Sequence, residues 1–390
     1  MTERANITPK VLKWARESAK ISKNDAAAKV SVKLEKLHEW ERGDSTPTIR
    51  QAKILAKAYQ RSFAIFFLPE PPLDFHPLED FRKSGSDPLS TSSIFIIREI
   101  QQKQAWISEN IKDNGEKKLD FVGKFSLNNN PKDIADNILE TLQIVPPNYM
   151  NVNPIKKWID KAESKGIFVS RSSFIHSRLK LNIDEIQGFA IADDYAPFVF
   201  VNSADWKAPQ LFTLVHELAH IWIASTGISN GLVPEIKDSN KFHPVELFCN
   251  EIAANALIPN NFIYNIPSNT FNSSLEVFKI SKNLGISSYA FIVRALNLNL
   301  ISQEKYKNLK NESDQQFMEY MRAEANKKLR QKKKPGGPSP YLLRMNRNSK
   351  LFTQIVLDAF NGGRIEPNYA SSLLHVKSNK FYKLEERLYQ

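Results

Sequence analysis

Gln210-Leu211-Phe212-Thr213-Leu214-Val215-His216-Glu217-Leu218-Ala219-His220 is the stretch that decides the reading of this chain. Its apolar residues recur at helical spacing, so Pro209 to Ser225 is predicted to be a helix. Two imidazoles four residues apart share one face of a helix, a single turn apart, and can ligate the same zinc ion. Glu217 stands beside the first of them, where a carboxylate can act as general base toward water. The alternative is a pair of histidines satisfied by hydrogen bonds inside a buried helix. That alternative leaves three ionisable groups on an apolar helix without compensation for their desolvation. His216 and His220 are therefore read as metal ligands and Glu217 as the catalytic base.

Catalytic zinc needs a third protein ligand. A histidine six residues beyond His220 would supply it, but Thr226 stands there. The next predicted helix, Pro244 to Ala254, offers a carboxylate instead. Glu246 and Asn250 are four residues apart on it, a layout that suits a third ligand and an acceptor that orients an imidazole. Glu251 is the alternative ligand on the same helix. Cys249, one turn from Glu246, reads as a small buried residue, because the companion cysteines of a thiolate site are missing. His243 stays open between two roles, a residue at the helix start and a hydrogen-bond donor to the transition state. No residue can be named as the oxyanion stabiliser.

Upstream of this pair, Gly166–Val169, Gly188–Ile191 and Pro197–Val201 are short, β-branched or aromatic, and bounded by turn residues. Three such strands among helices (94–111, 131–142 and 156–164) predict a small sheet in an α+β domain. The first 68 residues read as four short helices. Thr8-Pro9 opens the first, Ser22 caps the second from Lys23 to Val30, and the third runs from Ser31 to Arg42 before Gly43. The fourth begins near Pro47-Thr48 and carries Ile49, Ala52, Leu55, Ala56 and Tyr59. This is a helix-turn-helix arrangement. Its recognition helix is expected at Val32 to Glu41, with Lys33, Lys36, His38 and Arg42 as DNA contacts and Lys23 as a further phosphate contact. Glu35, Glu39 and Glu41 on the same helix oppose the phosphate term that dominates DNA affinity.

Two resemblances rest on these residues. Asp25-Ala26-Ala27, Trp40-Glu41-Arg42-Gly43 and Pro47-Thr48 with Leu55 to Tyr59 resemble the Xre/Cro-type helix-turn-helix family over about sixty residues. Gly188 to Asp194, Ala196 to Ser203, Gln210 to His220, and Glu246 to Ala254 with Leu257-Ile258-Pro259 resemble the ImmA/IrrE family of zinc metallopeptidases. Asp80-Phe81-Arg82 and an upstream Xre-type domain are common in that family as well. The resemblance implies His216, His220 and Glu246 as ligands of one zinc per chain, Glu217 as base, and Asn250 as the partner of a ligand. It also implies a regulator from a mobile-element, stress-response or toxin–antitoxin setting that cleaves a repressor or other protein partner. The competing class is a non-proteolytic regulator or antitoxin that binds DNA and a toxin while its zinc site is structural or idle. An intact Glu217 favours the enzyme, since a structural site has no use for a base.

The expected architecture is multidomain and mainly α. An all-α helix-turn-helix domain covers 1–68 and a Pro-rich connector 69–93. An α+β zincin-like peptidase domain covers 94–310, with its core at 160–265 and a helical extension at 270–310. A basic linker (311–340) and a small C-terminal module (341–390) follow. Composition agrees with a folded chain: 42% of the 390 residues are hydrophobic and 25% charged, which excludes wholesale disorder. No run of eighteen apolar residues occurs, so a membrane partner is excluded. Met1 to Asn6 lacks a secretory signal pattern, and the single cysteine cannot form an internal disulfide, which together predict a cytoplasmic protein. A net charge of +12 suits operator DNA, contacted through residues 22–42, and a homodimer on a pseudo-palindrome is the expected mode. Lys327 to Lys334 concentrates six basic residues in eight positions and reads as a solvated helix end running into a linker.

Overall fold

The structure, a computed structural model, describes residues 3–73, 78–82, 86–149, 152–176, 179–229, 243–331 and 339–388. Lys332 to Lys334, at the end of the basic run, lie outside the described residues, as do 74–77 of the connector and 230–242 before the second predicted site helix. The strands, in chain order, are β1 (Glu79–Asp80), β2 (Phe168–Ser172), β3 (Phe174–His176), β4 (Leu179–Lys180), β5 (Gly188–Ile191), β6 (Phe198–Asn202) and β7 (Gly227–Ser229). The chain divides into two compact units. One holds 1–77, 87–101 and 174–180, and the other holds 78–86, 102–173 and 181–390.

In the first unit the helices are α1 (Pro9–Ser18), α2 (Lys23–Lys29), α3 (Leu34–Arg42) and α4 (Ile49–Ala58). Each boundary has a local cause. The Ser22 hydroxyl accepts from Asp25 N at 3.0 Å and starts α2. Thr48 and Gln51 form a capping box that starts α4. Gly43, at φ 89°, takes the left-handed turn that ends α3. Helix α3 begins later than its sequence suggests. Ser31 adopts φ 55°, Lys33 is extended, and the Val32 N–H closes back on the Ala27 carbonyl, so Val32 and Lys33 lie in the turn. Leu12, Ala15, Ala26, Leu37, Trp40, Ala52, Leu55 and Tyr59 form the buried core of this bundle. Within it Arg16 grips Glu41 through two bonds, Nε–Oε1 at 2.6 Å and Nη2–Oε2 at 3.0 Å. Glu41 is thus neutralised inside the domain and does not oppose a phosphate.

The long helix α5 (Thr91–Asp113) contributes Thr91–Gln101 to the first unit and Gln102–Asp113 to the second. The second unit is built on a five-stranded mixed sheet of order β1-β7-β5-β6-β2. The outer pairs β1–β7 and β6–β2 are parallel, and the inner pairs β7–β5 and β5–β6 are antiparallel. Every residue of β5, β6 and β7 is buried, so both faces of the sheet are covered. One face receives α8 (Lys207–Trp222), which packs on β5 and β6 and is itself enclosed by α6 (Pro131–Leu142), α7 (Pro154–Glu163) and α9 (Pro244–Leu257). Val169, Ala190, Val199 and Val201 face that helix layer.

The opposite face is aromatic. Phe168 stacks on Phe198, Phe189 stacks on Phe200, and Phe198 meets Phe352 edge-on. Between α9 and the C-terminal region come α10 (Asn260–Ile263), α11 (Ser274–Leu284), α12 (Ser288–Asn297) and α13 (Gln303–Gln331). Four last helices follow: α14 (Pro340–Asn348), α15 (Lys350–Asn361), α16 (Pro367–Leu374) and α17 (Tyr382–Leu388). Helices α14 and α15 pack on β2, so the C-terminal residues close the second face of the sheet. Among the described residues no helix is long and apolar enough to cross a membrane.

Glu163, at the end of α7, anchors this closure. Its Oε1 accepts from the Ser349 hydroxyl at 2.6 Å and from Lys350 N at 2.9 Å, at the start of α15. Burial pushes its carboxyl up to about 7 from an ordinary value of 4.5, with the Ser349 and Lys350 donors working the other way. The folded chain therefore binds this proton more tightly than the unfolded chain. The associated stability is fully present below about pH 4.5 and is lost as pH rises to about 7. Glu163→Gln keeps the accepting oxygen and removes the titration. Denaturant unfolding of both proteins should show that the substitution removes a decline of roughly 3 kcal/mol across that window.

Candidate metal centre

Helix α8 positions the first two candidate ligands, and thirteen of its sixteen residues are buried. His216, Glu217 and His220 are fully buried, and Glu246, on α9, is 1% exposed. The two helices pack together so that three donors converge. His216 Nε2 lies 3.0 Å from His220 Nε2 and 3.3 Å from Glu246 Oε2. His220 Nε2 lies 3.1 Å from Glu246 Oε1. Corners about 2 Å from the centre of a tetrahedron are about 3.3 Å apart, so these separations fit a first-row metal held by two imidazoles and a carboxylate. Among the described residues this is the one such group of three or more metal-ligating side chains.

The hydrogen bonds fix which lone pairs are turned inward. His216 Nδ1–H donates to Asn250 Oδ1 at 3.0 Å, which orients the ring with its Nε2 toward the cluster. Burial lowers the His220 pKa, with Glu246 opposing. Burial works against the Glu246 charge, yet the two imidazoles beside it hold its carboxyl down to about 2. Two imidazoles and one carboxylate, all buried and facing each other, are a donor set of cation-binding chemistry.

Glu217, next to His216 on α8, reaches toward the start of β5. Its Oε1 lies 2.7 Å from where a Cβ on Gly188 would sit, so only glycine at the start of β5 leaves room for the carboxylate. Neither Glu217 oxygen has a hydrogen-bond partner among the described residues. Burial, and then the nearby Glu246 charge, push its pKa well above the usual carboxylate range. The Ser229 hydroxyl on β7 opposes this rise, although its hydrogen bond in the structure goes to Glu246 Oε1 at 3.2 Å. A carboxyl raised in this way suits a group that takes up and returns a proton.

The remaining sequence candidates fall as follows. Glu251 is exposed on α9 and stands apart from the cluster. Cys249 is fully buried, and burial raises its thiol pKa well above the usual value. His243 is exposed and caps α9, its Nδ1 accepting from Val245 N at 3.4 Å. Gly188, Ser229, Gly227 and Phe81 border the centre and were not among the candidates. The glycine inside a strand pattern was the available signal for Gly188, and Asp80-Phe81-Arg82 for Phe81.

In the first unit α3 carries Lys36, His38 and Arg42, with Lys33 as its N-cap residue. Lys33 and Arg42 are exposed and His38 is half-buried. Lys36 pairs with Glu39, which also accepts from the Ser45 hydroxyl at 2.9 Å, and Arg42 pairs with Asp44 at 2.9 Å. Two of the three acidic side chains on the recognition helix are therefore already engaged within the domain.

Comparison with known families agrees with both units. Residues 162–296 match the family model described as IrrE N-terminal-like domain, Peptidase_M78, and residues 12–66 match the helix-turn-helix model HTH_3. No curated protein matches the chain. With the His216, His220 and Glu246 cluster inside the first match and the four short helices spanning the second, the chain is similar to ImmA/IrrE-type peptidase domains over 162–296 and to Xre-type helix-turn-helix domains over 12–66.

Proposed function

We propose that this protein is a zinc-dependent endopeptidase joined to an operator-binding domain, a regulator that cleaves a repressor or another protein partner. The observation that carries the reading is the convergence of His216, His220 and Glu246 beside a buried, unpartnered Glu217 carboxylate. Two nitrogen donors and one carboxylate suit zinc and leave a coordination position for substrate chemistry. His216, His220 and Glu246 would hold the ion, with Asn250 fixing the His216 ring. Bound zinc supplies Lewis acidity, polarising a peptide carbonyl and making water easier to deprotonate. Glu217 takes the proton from the attacking water as the new C–O bond forms. It returns that proton to the amide nitrogen as the C–N bond breaks, leaving a free carboxylate and an amine.

Three outcomes test this reading. Metal analysis of the full chain should find one zinc per protein, with Glu246→Ala falling far below that ratio and Asn250→Ala weakened about 10- to 100-fold. Zinc retained at full ratio by Glu246→Ala would remove that residue from the ligand set. Glu217→Gln should keep its zinc and its fold while cleavage of a protein partner falls about 100-fold or more. Unchanged cleavage would leave the domain as a binding module. On the DNA side, replacing Lys33 and Lys36 with Ala should weaken binding at all sequences. It should also flatten the salt dependence by about one unit for each phosphate that is no longer neutralised, read by mobility shifts on the upstream region of its own gene. A wild-type chain that gives no salt-sensitive shift at micromolar concentration docks protein through this domain instead.

A further inference from the structure

The two histidines of the cluster differ in what fixes their rings. Asn250 accepts from His216 Nδ1–H, whereas His220 Nδ1 is buried with no hydrogen-bond partner among the described residues. An imidazole without such a bond keeps a broad torsion about its last side-chain bond and has no set plane to offer a metal. In place of the bond, the face of His220 is covered by Phe81. The two rings lie 5.5 Å apart, centroid to centroid, with only 8° between their planes. Phe81 is 2% exposed, and its ring also tilts against His243 at 5.0 Å.

Phe81 comes from a segment well upstream of residues 162–296, which match the peptidase family. Three features hold it in place. Strand β1 pairs in parallel with β7, and the Phe81 N–H continues that pairing to the Ile228 carbonyl at 3.1 Å. The Asp80 carboxylate accepts from Arg82 Nε at 2.8 Å, Nη2 at 2.7 Å and backbone N at 3.1 Å, which clamps the two neighbours of Phe81 to each other. Gly227 provides the slot: a Cβ there would stand 2.2 Å from Phe81 Cε2. Strand register, clamp and glycine all serve one ring that lies flat on one ligand.

We propose that Phe81 is a positioning residue of the metal centre, holding the His220 imidazole in its ligating plane as Asn250 holds His216. This rests on the reading that His216, His220 and Glu246 bind zinc, and the test separates the two. Zinc affinity of the full chain is measured by competition with a chromophoric chelator, and the visible spectrum of the cobalt-substituted protein reports ligand geometry. Phe81→Leu fills the slot with apolar volume but offers no flat face. It should bind zinc about 10- to 100-fold more weakly, the range seen when partners of ligating histidines are removed, and its cobalt bands should shift. Phe81→Tyr keeps the face and should retain wild-type affinity and spectrum. Gly227→Ala, which expels the ring from its slot, should reproduce the loss of Phe81→Leu. Wild-type affinity and an unshifted cobalt spectrum in Phe81→Leu would overturn the proposal, as would equal losses in Phe81→Leu and Phe81→Tyr. Full zinc retention by Glu246→Ala would overturn the underlying ligand assignment instead, whatever the Phe81 variants do.

Discussion

Two imidazole nitrogens 3.0 Å apart and a carboxylate within 3.3 Å of both, all closed off from water, form an arrangement that hydrogen bonding alone does not balance. One ring is held by Asn250 at Nδ1, so its Nε2 faces the cluster. That geometry could hold a cation, and several neighbouring elements of the second unit pack around it. Helix α8 is buried nearly all round, packed on β5 and β6 and against α6, α7 and α9. The sheet presents small residues to it where the chemistry lies: Gly188, Ala190, Gly227 and Ser229 sit in cross-strand register on β5 and β7. Larger residues there would push Glu217 or Phe81 out of place.

The division of labour across the sheet has the same logic. Toward α8 the strands carry glycine, alanine, valine and serine, and away from it they carry a ladder of phenylalanines. The ladder gains its burial from α14 and α15, which cover it at the C-terminal end of the chain. Close approach on one side and apolar bulk on the other allow strands of four or five residues to hold a charged cluster steady. The C-terminal helices take part in this support through Glu163 and the start of α15.

What was legible in the sequence was local. The spacing of His216 and His220, that of Glu246 and Asn250, and the caps at Ser22 and Thr48 involve residues three or four apart, a separation that helix geometry turns into a shared face or a contact. The misplaced start of α3 has an equally local cause, because a left-handed Ser31 leaves no mark in a pattern of apolar residues. Mixed charge on α3 argued against DNA binding only while the partners of Glu41 and Glu39 were unseen. Arg16 lies on another helix, and that pairing is tertiary. Strands β1 and β7 escaped because two or three residues are too few for an alternating pattern to register. Ser229 and Phe81 therefore had no visible relation to the centre, although Phe81 stood in a recognisable tripeptide.

The pairing of β1 with β7 also has a consequence for the order in which the protein matures. The strands are about 150 residues apart in the chain, so at roughly 5–20 residues per second the first waits on the order of 10 s or more for the second to be synthesised. Helices α1 to α4 lie within residues 9–58 and meet their partners early, whereas Glu246 emerges later still. During that interval Phe81 is an apolar ring without its slot, next to a finished helical bundle in the sequence. A nascent chain thus possesses its helix-turn-helix domain well before it possesses the His216, His220 and Glu246 cluster, and any chain that stops short of Glu246 never acquires that cluster.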